Sequence, residues 1–192
     1  MIEISEKDFP ELKNLVSFEF GGCWVGGGYI RDMILGAKPS DIDVFGPDQS
    51  ARDSFIKNNG VRVKKSAKFM RTGCWHGTET PVQVIDRDFK DIADMISRFD
   101  FTVCQFAWDG KNVFATERAL VDVARRRIQV ANIQEGFELD SMRRLYKYMG
   151  KGFSVCANTL KEVAEALRRD SVKLDEQIKF YPDGSPVLNV FD

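Results

Sequence analysis

The sequence is poor in the residues that build metal clusters and disulfide frameworks. Its 192 residues include one histidine and four cysteines, and the cysteines are widely scattered, with no C-x-x-C pair. Cys74 and His76 lie two residues apart, but no second ligand pair accompanies them, which argues against a zinc site. Free thiols in a reducing compartment are the simpler interpretation.

Excess charge and long apolar runs are also missing. The formal net charge is −1 and the pI is about 6.0, so contact with a polyanion would depend on local basic patches. A charge run most often marks a solvated face. The candidate patches are Arg62, Lys64, Lys65, Lys68 and Arg71; Arg125–Arg127; and Arg143, Arg144, Lys147 and Lys151.

A membrane role is not indicated either. The apolar stretch from Phe20 to Ile30 is too short to span a bilayer. The N-terminal "MIEISEKDFPEL" is acidic where a signal peptide carries basic residues. We therefore expect a cytoplasmic protein.

Hydrophobic residues make up 43% of the chain and charged residues 30%, as in globular domains with a core. Hydrophobic periodicity predicts an α+β domain over residues 1–133 and a helical subdomain over residues 134–192. Individual predictions include a helix within residues 1–20, two strands around a loop over residues 61–86, a hairpin turn at Asp109-Gly110 and a short strand at residues 119–123.

Two aspartates alternate along a predicted strand, in "SDIDVFG". Side chains two apart on a strand share a face, with backbone positions roughly 6.5–7 Å apart. Asp41 and Asp43 can therefore converge on one or two divalent cations, and Mg²⁺ prefers such oxygen ligands. Solvated aspartates on an exposed strand would show the same short pattern.

A glycine-rich turn precedes that strand, where Gly26, Gly27 and Gly28 stand between a short strand and a helix start. Such a turn offers backbone N–H groups that phosphate can approach closely. A tight turn without any ligand is the alternative. Together, the turn and the aspartates match what one substrate needs, a phosphate and its metal.

The segment "GGYIRDMILGAKPSDIDVF" resembles the signature of class II nucleotidyltransferases, the CCA-adding tRNA nucleotidyltransferases and bacterial poly(A) polymerases. The opening motif is matched at Gly27, Gly28, Arg31, Asp32, Leu35, Gly36, Asp41 and Asp43. Later segments resemble further family motifs and keep Arg98, Asp100, Phe101, Thr102, Asp122, Ile128, Asp140 and Arg143.

The resemblance implies a polymerase-beta-like mixed sheet flanked by helices, followed by a small helical neck. It implies template-independent transfer of NMP from a magnesium-bound NTP, ATP or CTP, to an acceptor hydroxyl such as an RNA 3′-end, with release of pyrophosphate. Two Mg²⁺ ions would be held by Asp41 and Asp43, and Arg31 would neutralise developing charge. The remaining nucleotide-binding residues would be Gly27, Gly28, Asp32, Arg98, Asp100, Asp140 and Arg143, the last two facing the base.

Several positions depart from the family pattern. Gln83 stands where the family has a third acidic residue, and Asp86 lies three residues away, on the opposite face of a continuous strand. Phe99 replaces the second Arg of an Arg-Arg-Asp motif, Cys104 replaces an Asn, and Leu139 replaces the Glu before Asp140. These changes weaken the expected third metal ligand and the ribose and base contacts.

Two alternatives stay open. Because the family's tRNA-gripping helical domains are not found after Val155, the acceptor could be a protein side chain or a small molecule, or an oligomer or partner protein could supply the grip. A catalytically inactive NTP-binding module is the other alternative, although the retained aspartates and Arg143 argue against it.

Overall fold

The computed structural model describes residues 1–5, 18–67, 69–75 and 80–169. The strands are β1 (Ile2–Ser5), β2 (Trp24–Gly26), β3 (Ile42–Gly46), β4 (Arg62–Ala67), β5 (Met70–Cys74), β6 (Val82–Asp88), β7 (Phe106–Trp108), β8 (Asn112–Ala115), β9 (Arg127–Ile128) and β10 (Ser154–Val155). The helices are α1 (Gly28–Ile34), α2 (Gln49–Asn58), α3 (Ile92–Ser97), α4 (Glu117–Ala124), α5 (Glu138–Gly150) and α6 (Ala157–Arg169), with a 3₁₀ turn at Thr102–Cys104.

Eight of the strands form one mixed sheet in the order β1-β8-β7-β2-β3-β6-β5-β4. β3 and β6 are parallel, whereas the other neighbours are antiparallel. β9 and β10 form a separate parallel pair. The predicted α+β fold, a mixed sheet flanked by helices, is therefore confirmed.

The two faces of the large sheet carry separate apolar clusters because side chains alternate along each strand. On one face, residues such as Ile42, Val44 and Val84 pack in a cluster that includes Ile30 of α1 and Phe55 of α2. On the other face, Phe45 and Ala107 pack with Met95 and Ile96 of α3. Asp43 shares this second face because it lies two residues from Phe45.

A single cross-strand row runs over the second face. The registers pair Gly26 with Asp43, Asp43 with Gln83, Gln83 with Thr72, and Thr72 with Lys65. Directly paired residues point to the same face. The row therefore leads from the glycine turn through the predicted metal ligand to the edge strand β4.

Two local predictions are wrong, and a third falls outside the described residues. Residues 119–123 are helical, within α4, because the Thr116 side chain accepts a hydrogen bond from the Ala119 N–H and begins a helix there. The stretch over residues 61–86 contains three strands rather than two, since β5 pairs with both β4 and β6. Ile2–Ser5 is a strand, and the helix predicted over Phe9 to Val16 falls outside the described residues.

The subdomain boundary near residue 134 stays a prediction. The first helix of the predicted subdomain, α5, begins at Glu138. The chain beyond Arg169 lies outside the described residues. Across the described ranges, no helix combines the length and apolar character needed to cross a bilayer.

Candidate active site

The predicted metal ligands lie together at the start of β3. Asp43 is paired on one side with Gly26 of β2 and on the other with Gln83 of β6. Asp41 immediately precedes the strand, and its Oδ2 accepts a hydrogen bond of 3.4 Å from the Gln83 amide. Both carboxylates are half-buried. The sheet therefore brings two carboxylates and one amide to a single point on its face.

The electrostatics of this point favour a bound cation. Burial, followed by repulsion from Asp41, raises the pKa of Asp43 from 3.8 to about 7, while Lys147 and Arg144 of α5 oppose the rise. When a buried carboxyl group with a pKa near 7 ionises beside a second carboxylate, its negative charge is poorly compensated. A divalent cation placed between the two side chains would remove that penalty.

Gly27 leaves the approach to Asp43 open. Its φ of +75° is one that residues with a side chain rarely adopt. A Cβ atom at this position would lie 3.4 Å from the Phe99 ring and 3.7 Å from Oδ2 of Asp43. The Gly27 N–H donates to the Phe106 carbonyl, so it holds the turn against β7. A side chain at position 27 would therefore occupy the space beside the Asp43 carboxylate.

An amide, Gln83, stands at the position where the class II nucleotidyltransferases have a third acidic residue. Gln83 faces the site, as its register with Asp43 and its contact with Asp41 show. Asp86 is occupied elsewhere: both of its oxygens accept from Arg71, at 2.5–3.0 Å, and Arg52 lies 3.6 Å away. Asp86 is therefore not a substitute ligand.

Arg31 and Asp32 form a buried clasp between α1 and α5. Arg31 is 1% exposed and pairs with Asp32 at 2.7 Å, and its guanidinium lies 4.6 Å from the Tyr148 ring centroid and 5.6 Å from that of Phe153. Asp32 also accepts from Lys151 at 2.6 Å. These contacts occupy both side chains, so their predicted roles toward nucleotide stay predictions.

The clasp extends to Cys104, the position where the class II nucleotidyltransferases have an Asn. Cys104 is buried, donates to the Tyr148 hydroxyl at 3.0 Å and accepts from Arg31 at 3.6 Å. Burial raises the pKa of the Cys104 thiol and raises the pKa of the Tyr148 hydroxyl well above its usual value. Both groups therefore stay neutral. Cys104 accepts a hydrogen bond from the arginine, and the Tyr148 ring lies against its guanidinium.

Arg98 and Asp100 each form an ion pair within the protein. Arg98 forms an ion pair with Asp94 one helical turn earlier, and Asp100 is buried and pairs with Arg144 of α5 at 2.6 Å. Phe99, between them, borders the site through its contact with Gly27 and packs edge-on against Phe45, with centroids 5.7 Å apart. The nucleotide contacts predicted for Arg98 and Asp100 stay predictions.

Asp140 and Arg143 lie in the first half of α5. They form an i,i+3 ion pair of 3.4 Å, and their side chains are 49% and 35% exposed. An acceptor and a planar donor fork are thus presented side by side at the protein surface. Their predicted role at the base edge is open to test, because neither side chain is buried.

Two cations of α5 act on the carboxylates, and the sequence indicated them only as part of a basic patch. Lys147 and Arg144 are the positive groups that lower the pKa of Asp43. Arg144 is held by Asp100, whereas the exposed Lys147 forms no ion pair within the described residues. Arg144 and Lys147 lie four and seven positions after Asp140. This helical spacing places the three side chains on the same side of α5.

The side chains fit a magnesium ion with two protein carboxylates. Carboxylate oxygens are the ligands that Mg²⁺ prefers, and it usually completes its shell with water and substrate phosphate. Within the ranges that the structure describes, no group of three or more His, Cys, Asp or Glu residues could hold a metal. With two protein carboxylates, such an ion would take its remaining ligands from water or from a substrate phosphate.

Comparison with known proteins gives both a family and a fold. The family model described as Gabija anti-defense 2 matches residues 3–126, which is more than half of the 192-residue chain. The chain belongs to the Gabija anti-defense 2 family. A curated member of this family, "Gabija anti-defense 2" of Bacillus phage SPbetaL7, is 26% identical over 140 residues, covering 68% of this chain and 34% of the relative.

Solved CCA-adding enzymes share the fold. The Thermotoga maritima enzyme complexed with tRNA has a TM-score of 0.67 and 18% identity, covering 91% of this chain and 48% of that one. A CCA-adding enzyme with CTP has a TM-score of 0.65 at 18% identity, covering 91% and 47%. The same enzyme type with ATP gives 0.66 at 19%, covering 91% and 48%. The chain thus spans about a third of its curated relative and about half of these structures.

Proposed function

We propose that this chain is a template-independent nucleotidyltransferase that uses a magnesium-bound NTP. The observation that carries the proposal is the meeting of Asp41 and Asp43 with the Gly27 turn on one face of the sheet. The fold shared with CCA-adding enzymes supports it.

The chain's own groups have separable tasks. Asp41 and Asp43 hold the cation, and Gly27 keeps the space beside Asp43 free for phosphate. When bound, Mg²⁺ supplies Lewis-acid stabilisation of the transferring phosphoryl group. Lys147 forms no ion pair within the described chain, and its positive charge lowers the pKa of Asp43. It is therefore placed to neutralise charge on the triphosphate, a mainly electrostatic contribution.

The acceptor is the finer part of the proposal. We propose an RNA 3′-hydroxyl, which attacks the α-phosphorus, so that a new P–O bond forms while the bond to the leaving pyrophosphate breaks. The acceptor proton leaves to Asp43 or to solvent. The partly exposed Asp140 and Arg143 would contact the base, as the resemblance to nucleotidyltransferases implies.

The relative's name suggests the biological purpose. "Gabija anti-defense 2" describes a phage protein that acts against a defence. We propose that nucleotidyl transfer by this chain serves the same purpose.

The test is transfer of label from each of the four α-labelled NTPs, supplied separately with Mg²⁺, to a pool of short RNAs. Label should reach RNA with the wild-type chain and not with Asp41→Ala/Asp43→Ala. The matched control, Glu162→Ala/Glu165→Ala, removes two carboxylates from α6 and should remain active. Transfer to a protein or small molecule instead would replace the RNA acceptor, and NTP binding with no pyrophosphate release would identify an inactive binding module.

A further inference from the structure

The edge strand β4 carries a basic surface. Arg62, Lys64 and Lys65 are all exposed, and none of them forms an ion pair within the described part of the chain. We refer to these three residues as the β4 cations. Lys64 is the extra residue of a bulge between Val63 and Lys65, and bulges re-aim side chains at sheet edges. Three positive charges are thus concentrated on one short strand.

The β4 cations are connected to the candidate active site by the sheet itself. Lys65 ends the row that begins at Asp43 and passes through Gln83 and Thr72, all on one face. β4 is three strands from β3, and neighbouring strands are about 4.8 Å apart, so the row is roughly 14 Å long. The polar residues between its ends, Gln83 and Thr72, are only partly buried and leave a hydrophilic track.

The sign of the charges indicates what this track would bind. Charged residues on an edge strand discourage pairing with other strands, and either sign serves that purpose. Here the three charges are all positive, and β4 (RVKKSA) contains no acidic residue. A uniformly cationic strand at the end of a polar track is complementary to a chain of phosphates.

We propose that the β4 cations bind the backbone phosphates of a single-stranded nucleic-acid acceptor, a few nucleotides before the hydroxyl that reacts at Asp43. This inference rests on the proposed function and specifies where its acceptor lies. The chain then needs no basic net charge to hold RNA, because the contact is concentrated at one edge of the sheet.

The experiment compares binding of a single-stranded oligoribonucleotide by fluorescence anisotropy at several salt concentrations. The variant Arg62→Gln/Lys64→Gln/Lys65→Gln is compared with the wild-type full chain. The control is Lys57→Gln/Lys111→Gln/Arg168→Gln, which removes three exposed cations from other parts of the chain. Light scattering and circular dichroism verify that each variant remains folded and unaggregated, and the single variant Lys65→Gln provides a milder substitution.

Each phosphate contact on a single strand contributes about 0.7 to the slope of log affinity against log salt. Loss of three contacts should lower the slope by about 2, and extrapolation from 1 M salt converts this to about a hundredfold weaker binding near 100 mM. The control should keep the wild-type slope. Lys65→Gln should lower it by about 0.7, and transfer to a dinucleotide too short to reach β4 should be unaffected.

Two results would overturn the inference: an unchanged slope in the β4 variant, or an equal loss in the control. Its failure is distinguishable from failure of the proposed function. If transfer to RNA depends on Asp41 and Asp43 but not on the β4 cations, only the location is wrong. If no transfer occurs with any acceptor, the proposed function itself is wrong.

Discussion

The substitution Asp43→Asn should stabilise the metal-free protein while removing one of the two proposed metal ligands. In the native structure, burial and the neighbouring Asp41 raise the pKa of Asp43 from 3.8 to about 7. An unfolded chain carries no such penalty, so it loses this proton near pH 4. Between about pH 4 and 7 the folded state binds more protons than the unfolded state, and stability falls as the pH rises.

The size of the effect follows from the same pKa. With complete shielding from water, a rise from 3.8 to about 7 would correspond to about 4 kcal/mol. Because Asp43 is only half-buried, solvent screening reduces the expected gain to about 1–2 kcal/mol. For a chain of this size, that gain raises Tm by roughly 3–6 °C.

The assay is thermal unfolding in EDTA from pH 5 to pH 8, for the wild type and Asp43→Asn. The variant's gain in free energy of unfolding should be complete at pH 8 and about a third as large at pH 5. Most of the destabilisation of the wild type by ionised Asp43 develops between these pH values. Excess Mg²⁺ should raise the Tm of the wild type and leave that of the variant unchanged.

Asp140→Asn is the control, because this carboxylate lies in an exposed ion pair and its loss should change Tm little. Destabilisation of Asp43→Asn at pH 8, or a gain that does not depend on pH, would refute the account of a strained carboxylate pair.

Three further predictions concern other parts of the site. Gly27→Ala should lower NTP affinity at least tenfold and destabilise the fold by about 1 kcal/mol, because its φ is +75° and the new methyl lies beside Asp43; nucleotide titration calorimetry and thermal unfolding check this, and unchanged affinity would contradict it. Arg31→Met should cost about 3–5 kcal/mol in a urea titration, because it leaves Asp32 buried beside only one partner; a loss below about 1 kcal/mol would disprove the clasp. Gln83→Glu should tighten Mg²⁺ binding by adding a third carboxylate beside Asp41, as calorimetry without nucleotide would detect; unchanged binding would show that residue 83 lies outside the metal's reach.

Parts of this fold were predictable from local sequence alone. The hairpin of β7 and β8 was expected from Asp109-Gly110, and Gly110 indeed has a φ of +94°. The strand containing Asp43 was expected from alternation. The start of α4 was also signalled by Thr116, but the run "ALVDV" resembles a strand when only its apolar residues are considered.

Other parts depend on contacts between distant segments. β5 (MRTGC) has little strand character of its own and exists because β4 and β6 pair with it on both sides. Burial of Arg31 was not predictable, because arginine is almost never fully buried unless it is paired. Its environment includes Cys104 and Tyr148, and Asp32 reaches a lysine 119 residues away.

The clasp between α1 and α5 affects how a loss of the proposed activity should be interpreted. α1 begins at the turn beside Asp43, and α5 carries Lys147 and the exposed pair Asp140 and Arg143. The anchoring of Arg31 therefore fixes how far these α5 groups stand from the sheet, and hence the distance between α5 and Asp43. A variant of Arg31 that lost all activity would resemble the loss of a catalytic group, although the damage would be a change of spacing more than 100 residues along the chain.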